Sequence, residues 1–311
     1  MGQRVAHDRP LLSGFQIVMI ELSRGKSRLT ILPETGGAIG VWQLDGKDIF
    51  LPVSNEALAA QKGEAVGAYP LIPYSNRIAD GRFSFNEQDY DLAPNMGDHP
   101  HTIHGNAWEK DWTVAHQGAN HAVLTLDHVP QENDTQWPFT YRAVLSYLLT
   151  ENTLDVQMVV ENRDTVDQPV GFGFHPFLAA QGPATLSFEA TKAWLTSPDG
   201  LPVQAVSCDG EWSFHAPKDA HARFIDNCFA GFGGQVVLDR PDAGLKVTVE
   251  ADPIFTHLVV FTSPDDPFVA VEPVTSMTDA INRSDIPDRG LHVLKPNTRI
   301  GGRMRFHVRA V

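Results

Sequence analysis

TLDVQMVVEN, residues 153–162, sets Leu154, Val156, Met158 and Val160 at every second position, with mostly polar residues between them. A period of two is the signature of a strand with one face buried. The same alternation recurs in GLKVTVEA with Leu245, Val247 and Val249. It recurs again in GRFSFNEQDYDLAP, where Phe83 and Phe85 are followed by Tyr90 and Leu92 across an Asn-Glu-Gln-Asp turn. In GVWQLDGKDIFL, Asp45-Gly46 between two apolar stretches predicts a two-residue hairpin. Only residues 54–67, SNEALAAQKGEAVG, lean towards a helix.

Turn residues are spread along the whole chain, 25 glycines and 22 prolines in 311 residues, and no linker or repeat divides it. Many short strands without βαβ spacing predict an all-β protein, a large antiparallel β-sandwich formed as a single domain over residues 1–311. Acidic residues outnumber basic ones by 38 to 24, for a net charge of −14, which argues against nucleic acid or an anionic membrane as partner. Two cysteines, Cys208 and Cys228, make no disulfide framework. The apolar N-terminal LLSGFQIVMIEL lacks a cleavage pattern, and no run is long enough to span a bilayer, so the expectation is a cytoplasmic protein.

Polar residues inside apolar stretches are the informative exceptions. VGFGFHPFL, residues 170–178, carries His175, which is either a satisfied core histidine or a pocket residue doing proton chemistry. FVAVEPVTSMTDAIN carries Glu272, a carboxylate after four apolar residues, whose burial would raise its pKa. Each of the two precedes a proline, which predicts extended backbone and side chains projecting from strand ends. PLIPYSNRIADG carries Asn76 and Arg77, and FIDNCFAGF carries Asp226; both charged groups could equally be an ion-pair or turn residue. GDHPHTIHGNAW carries His99, His101 and His104, whose His-x-His spacing raises a metal reading without a matching carboxylate. Nucleophile-elbow, phosphate-loop, zinc-protease and dinucleotide motifs are absent.

Taken in order, PYSNRIADGRFSF, HTIHGNAWEKDW, GFGFHPFL, FIDNCF, VAVEPVTSMTDAIN and LHVLKPNTRIGGRMRFHV resemble the aldose 1-epimerase, or galactose mutarotase, family. The resemblance implies the galactose mutarotase-like supersandwich, a sugar as small-molecule partner, and no metal or organic cofactor. It implies His175 as general acid and Glu272 as general base, with Asn76, Arg77, His104 and Asp226 holding sugar hydroxyls. Trp108 or Phe177 would offer a face to the ring. The pair predicts a bell-shaped pH profile with Glu272 on the acid limb and His175 on the alkaline limb. Where galactose-type members carry a tyrosine and a longer insertion, this chain reads PFLAAQGPATLSF, which leaves the aldose open. Two other readings of the fold are a hexose-6-phosphate 1-epimerase, for which Arg77 and Arg82 are the nearby cations, and a non-catalytic sugar-binding module. A monomer and a homodimer are both compatible with the sequence.

Overall fold

The computed structural model describes residues 18–54, 66–131 and 135–311. Two large antiparallel sheets, of 11 and 9 strands, dominate it, and the described residues contain no α-helix. The helix-leaning segment falls mostly on residues 55–65 and so lies outside the described residues. No described helix is long and apolar enough to cross a membrane.

Strand Thr153–Asn162 alternates as its sequence dictates: Leu154, Val156, Met158 and Val160 are buried, and the residues between them are exposed or half-buried. It pairs with Tyr141–Leu149 on one side and Arg299–Ala310 on the other, so Val156 faces Tyr147 and Met304 in register. A slip of one residue would turn all four apolar side chains to water, at about 1.5 to 3 kcal/mol each. Asp45 and Gly46 form the expected two-residue turn, both with positive φ, between paired Leu44 and Lys47. The second hairpin is tighter than its sequence suggested. Asn86 and Glu87 alone make the turn, at φ of 50° and 63°, and Gln88 already pairs with Phe85.

The 11-stranded sheet carries, side by side, strands Ala68–Leu71, Gly173–Ala179, Phe268–Val274, His257–Thr262 and Ile225–Ala230. Both of its faces are covered, which is why these strands read as nearly unbroken apolar runs. One face packs on the 9-stranded sheet. Phe174, Val269, Val271 and Val260 belong to that core, where Trp42 and Phe50 meet Phe306 of the opposite sheet edge-on at 6.2 and 5.2 Å. The other face bears a smaller cluster that includes Tyr69, Trp108, Cys228, Val259 and Val274. Because strand residues alternate, His175 and Glu272 stand on this second face, with Phe174 and Val271 anchoring them from the core side.

Candidate active site

His175 and Glu272 lie in the interiors of strands Gly173–Ala179 and Phe268–Val274 rather than at strand ends. The two strands are antiparallel neighbours, with Gly173 opposite Val274 and Phe177 opposite Ala270, so the same register brings position 175 level with position 272. Pro176 and Pro273 remove ladder donors there without breaking either strand, and the pairing on the outer sides continues. His175 Nε2 stands 3.2 Å from Glu272 Oε1, with both side chains nearly enclosed. Tyr69, the cross-strand neighbour of His175, stacks on its imidazole at 4.7 Å and fixes the ring plane.

Burial sets the protonation of the pair. It pushes His175 down to about 3. It raises Glu272 well above the usual carboxyl range, with the negative charge of Asp226 adding to the rise and Arg77 opposing it. Burial therefore favours the neutral pair, with the proton on Glu272 and a neutral imidazole beside it. That ordering is the reverse of the one behind a bell with Glu272 on its acid limb. His175 Nδ1 and Glu272 Oε2 are buried and have no hydrogen-bond partner among the described residues. Buried polar atoms of this kind are rare and call for a ligand or a chemical role.

Asn76, Arg77, His104 and Asp226 join the pair around one cleft of about 260 Å³, completed by Tyr69, Met96, Ile103, Phe177, Phe261 and Phe268. Every nitrogen of the Arg77 guanidinium is committed. Nη2 donates to Asp226 Oδ2 at 3.0 Å, Nη1 to Asn76 Oδ1 at 3.1 Å, and Nε to His99 Nε2 at 3.2 Å. Gly200 lies flat against the same group: with φ of +84°, any Cβ there would sit 2.5 Å from Arg77 Cζ. Asn76 and His104 lock each other, both at positive φ. The Asn76 N–H donates to His104 Nδ1 at 3.2 Å, and the His104 N–H donates to the Asn76 carbonyl at 3.0 Å. His104 Nδ1 is thus an acceptor, and burial together with nearby His175 and Arg77 holds its pKa well below the ordinary value. A neutral His104 with its proton on Nε2 is a fixed donor for a hydroxyl. At the adjoining Gly105, a Cβ would sit 2.0 Å from the Ile72 carbonyl, so only glycine lets the chain turn here.

The three clustered histidines part company. His99 accepts from Arg77, the Asp80 N–H donates to His101 Nδ1 at 3.0 Å, and His104 serves the cleft. Residues 99–101 are not strand, so the one-face geometry expected of His-x-His does not arise. No metal-like group of three ligating side chains occurs among the described residues. Trp108 does not line the cleft as the sequence suggested. It is buried behind Tyr69 at 5.8 Å, its Nε1 donating to the Gly105 carbonyl. Arg82 is likewise elsewhere, exposed beside Asp91 at 3.6 Å. Tyr69, Phe261 and Phe268 were not singled out from the sequence, and His99 was raised only as a metal ligand, not as the partner of Arg77. Phe268 had a signal, since it lies four residues before Glu272 and so shares its strand face.

The aldose 1-epimerase family model matches residues 18–307. This chain belongs to the aldose 1-epimerase family. Among its relatives is the uncharacterized protein YphB of Escherichia coli K12, 25% identical over 297 residues, which span 92% of this chain and 97% of that one. Solved structures share the fold at lower identity. A galactose mutarotase-like protein from Clostridium acetobutylicum superposes with a TM-score of 0.82 at 20% identity, covering 94% of this chain and 95% of that one. A galactose 1-epimerase from Lactobacillus acidophilus NCFM gives 0.75 at 14% identity, with 94% of each chain covered.

Proposed function

We propose that this family member is an aldose 1-epimerase that interconverts the α and β anomers of an uncharged aldose, without a cofactor. The observation that carries the reading is the 3.2 Å contact between His175 and Glu272 inside a cleft able to take one small ligand. In a cyclic aldose the hydroxyl that must lose a proton and the ring oxygen that must gain one are bonded to the same carbon. An acid and a base serving them must therefore stand side by side.

In ring opening, Glu272 takes the O1 proton, the C1–O5 bond breaks as C1=O1 forms, and His175 gives a proton to O5. This step starts from the ionised pair and ends with protonated Glu272 and neutral His175, the form that burial favours. Rotation about C1–C2 presents the other face of the aldehyde. Closure reverses both transfers, with His175 as base and Glu272 as acid. The two forms of the pair differ by one proton shift across their hydrogen bond. Substrate hydroxyls and the Arg77 charge favour the ionised form, and burial favours the neutral one. His104 and the Arg77–Asp226 pair orient the remaining hydroxyls.

Support for an uncharged substrate comes from charge. Among the described residues, Arg77 is the one cation lining the cleft, it is already paired with Asp226, and Glu272 adds a second carboxyl. A phosphate dianion would meet no free cation there among the described residues. The test is polarimetric, following freshly dissolved α-anomers of glucose, galactose, xylose and arabinose, with glucose 6-phosphate alongside. The expected result is accelerated relaxation of at least one free sugar and none for the phosphate ester. Acceleration of the ester alone would replace this reading with the hexose-6-phosphate one, and binding without acceleration would support a sugar-binding module.

A further inference from the structure

The cleft continues outward as an aromatic ledge. Phe177 touches the His175 ring at 4.4 Å, Phe268 meets Phe177 edge-on at 5.1 Å, Phe261 stacks on Phe268 at 5.9 Å, and Phe224 meets Phe261 edge-on at 5.6 Å. The register of the strands explains the line. Asp226 pairs with Phe261, and Phe261 with Ala270, which in turn pairs with Phe177. Phe268 stands two residues before Ala270 on its strand and Phe224 two residues before Asp226, at the spacing that keeps the same face. The ledge therefore begins at the catalytic pair and ends at Phe224, just outside strand Ile225–Ala230.

Phe224 is 65% exposed, and it is the one aromatic side chain among the exposed large hydrophobics of the described residues. Its ring stands at 87° to that of Phe261, so the two form an open corner with a floor and a wall. Phe177, Phe261 and Phe268 line the cleft already, whereas Phe224 lies beyond it.

We propose that the corner of Phe224 and Phe261 is a second sugar subsite, holding the residue glycosidically linked to the aldose in the cleft. The proposal rests on the reading that the cleft holds an aldose. An aromatic face is electron-rich and meets the electropositive C–H face of a pyranose, and the corner offers two such surfaces at a right angle. With C1 held at the row of His175 and Glu272, the far edge of the first ring points along the ledge. A substituent on that edge leaves the cleft over Phe261. The natural substrate is then the reducing end of a short oligosaccharide, and Phe224 sets the preference for it over the free monosaccharide.

The experiment compares glucose with maltose, cellobiose, lactose and melibiose, using wild type and Phe224→Ala. Equilibrium binding is read by calorimetry, anomer relaxation by polarimetry and oligomeric state by light scattering. The expected result is that at least one disaccharide binds several-fold more tightly than glucose. Phe224→Ala should abolish that difference by raising KM for the disaccharide about five- to tenfold, with the glucose parameters unchanged. Glucose binding as tightly as every disaccharide would overturn the proposal, as would equal losses for both in the variant. So would a wild-type dimer that Phe224→Ala dissolves, since a second copy would then own the corner. Because binding is read independently of turnover, a disaccharide preference without any accelerated relaxation would uphold the subsite and refute the epimerase reading. Accelerated glucose relaxation without the preference would do the opposite.

Discussion

Replacing Glu272 by glutamine separates an acid/base pair from a structural ion pair. Glutamine keeps the shape of the side chain and a hydrogen bond to His175, but it neither takes nor gives a proton in this pH range. A positioned general base contributes about 10²- to 10⁴-fold, so kcat should fall by that factor, equivalent to about 3 to 5 kcal/mol of transition-state stabilisation. Stability should move the other way or not at all. Glu272 is 2% exposed and its carboxyl is held protonated by burial, so an uncharged isostere removes no favourable charge. Were the pair a structural salt bridge, removing one partner would instead cost about 3 to 5 kcal/mol of folding free energy. The assay is polarimetric relaxation on whichever sugar the wild type accelerates, with urea unfolding of both proteins. Full activity in the glutamine variant, or a loss of activity matched by a loss of stability of that size, would refute the reasoning.

Arg77→Ala should raise KM by roughly 10- to 100-fold, the loss of a charge-assisted contact plus the orphaning of Asp226, and Arg77→Lys should recover little because lysine lacks the fork. Steady-state KM for all three proteins decides it. His99→Ala should raise KM about five- to tenfold by freeing Arg77 Nε, while His99→Gln, which retains an acceptor, should restore part of the loss; equal effects of the two changes would count against a positioning role. The pH profile of kcat/KM should lack an acid limb near the ordinary imidazole value. His175 is pushed down to about 3, so the over-protonated pair forms only in strong acid, and Glu272 supplies the alkaline limb as it loses its raised proton. A limb near pH 6.5 would contradict that order. His257 is buried and pushed down to about 4, so it stays neutral in the fold while the unfolded chain protonates near 6.5. Stability is unaffected by it above that pH and should drop by about 2 kcal/mol by pH 5, read as a shift in urea midpoint that His257→Phe removes.

The strand framework was legible because local alternation and global burial agree, as Thr153–Asn162 illustrates with four apolar side chains turned inward in phase. Both central site residues were also legible, since a histidine or carboxylate inside an apolar run must be satisfied or used. What the sequence misplaced follows from what it does not contain. Proline after His175 and Glu272 suggested strand ends, but their strands pair through neighbouring positions, so the prolines sit mid-strand without leaving the sheet open. Arg77 and Asp226 are 149 residues apart and on different sheets, Arg77 in a two-stranded ribbon with Thr102–Ile103 and Asp226 in the 11-stranded sheet, and only the tertiary fold brings them to 3.0 Å. Tyr69 beneath His175 depends on a register that no local pattern states. Trp108 looked available because tryptophan often serves sugars, yet its indole N–H is spent inside the turn that fixes His104.

The most direct test of the central claim is exchange spectroscopy on sugar at anomeric equilibrium, where cross-peaks between the α and β C1 protons report interconversion alone. The account predicts that catalytic amounts of wild type produce them for an uncharged aldose, and that both His175→Ala and Glu272→Gln abolish them while remaining folded. Undiminished exchange in either folded variant would contradict it.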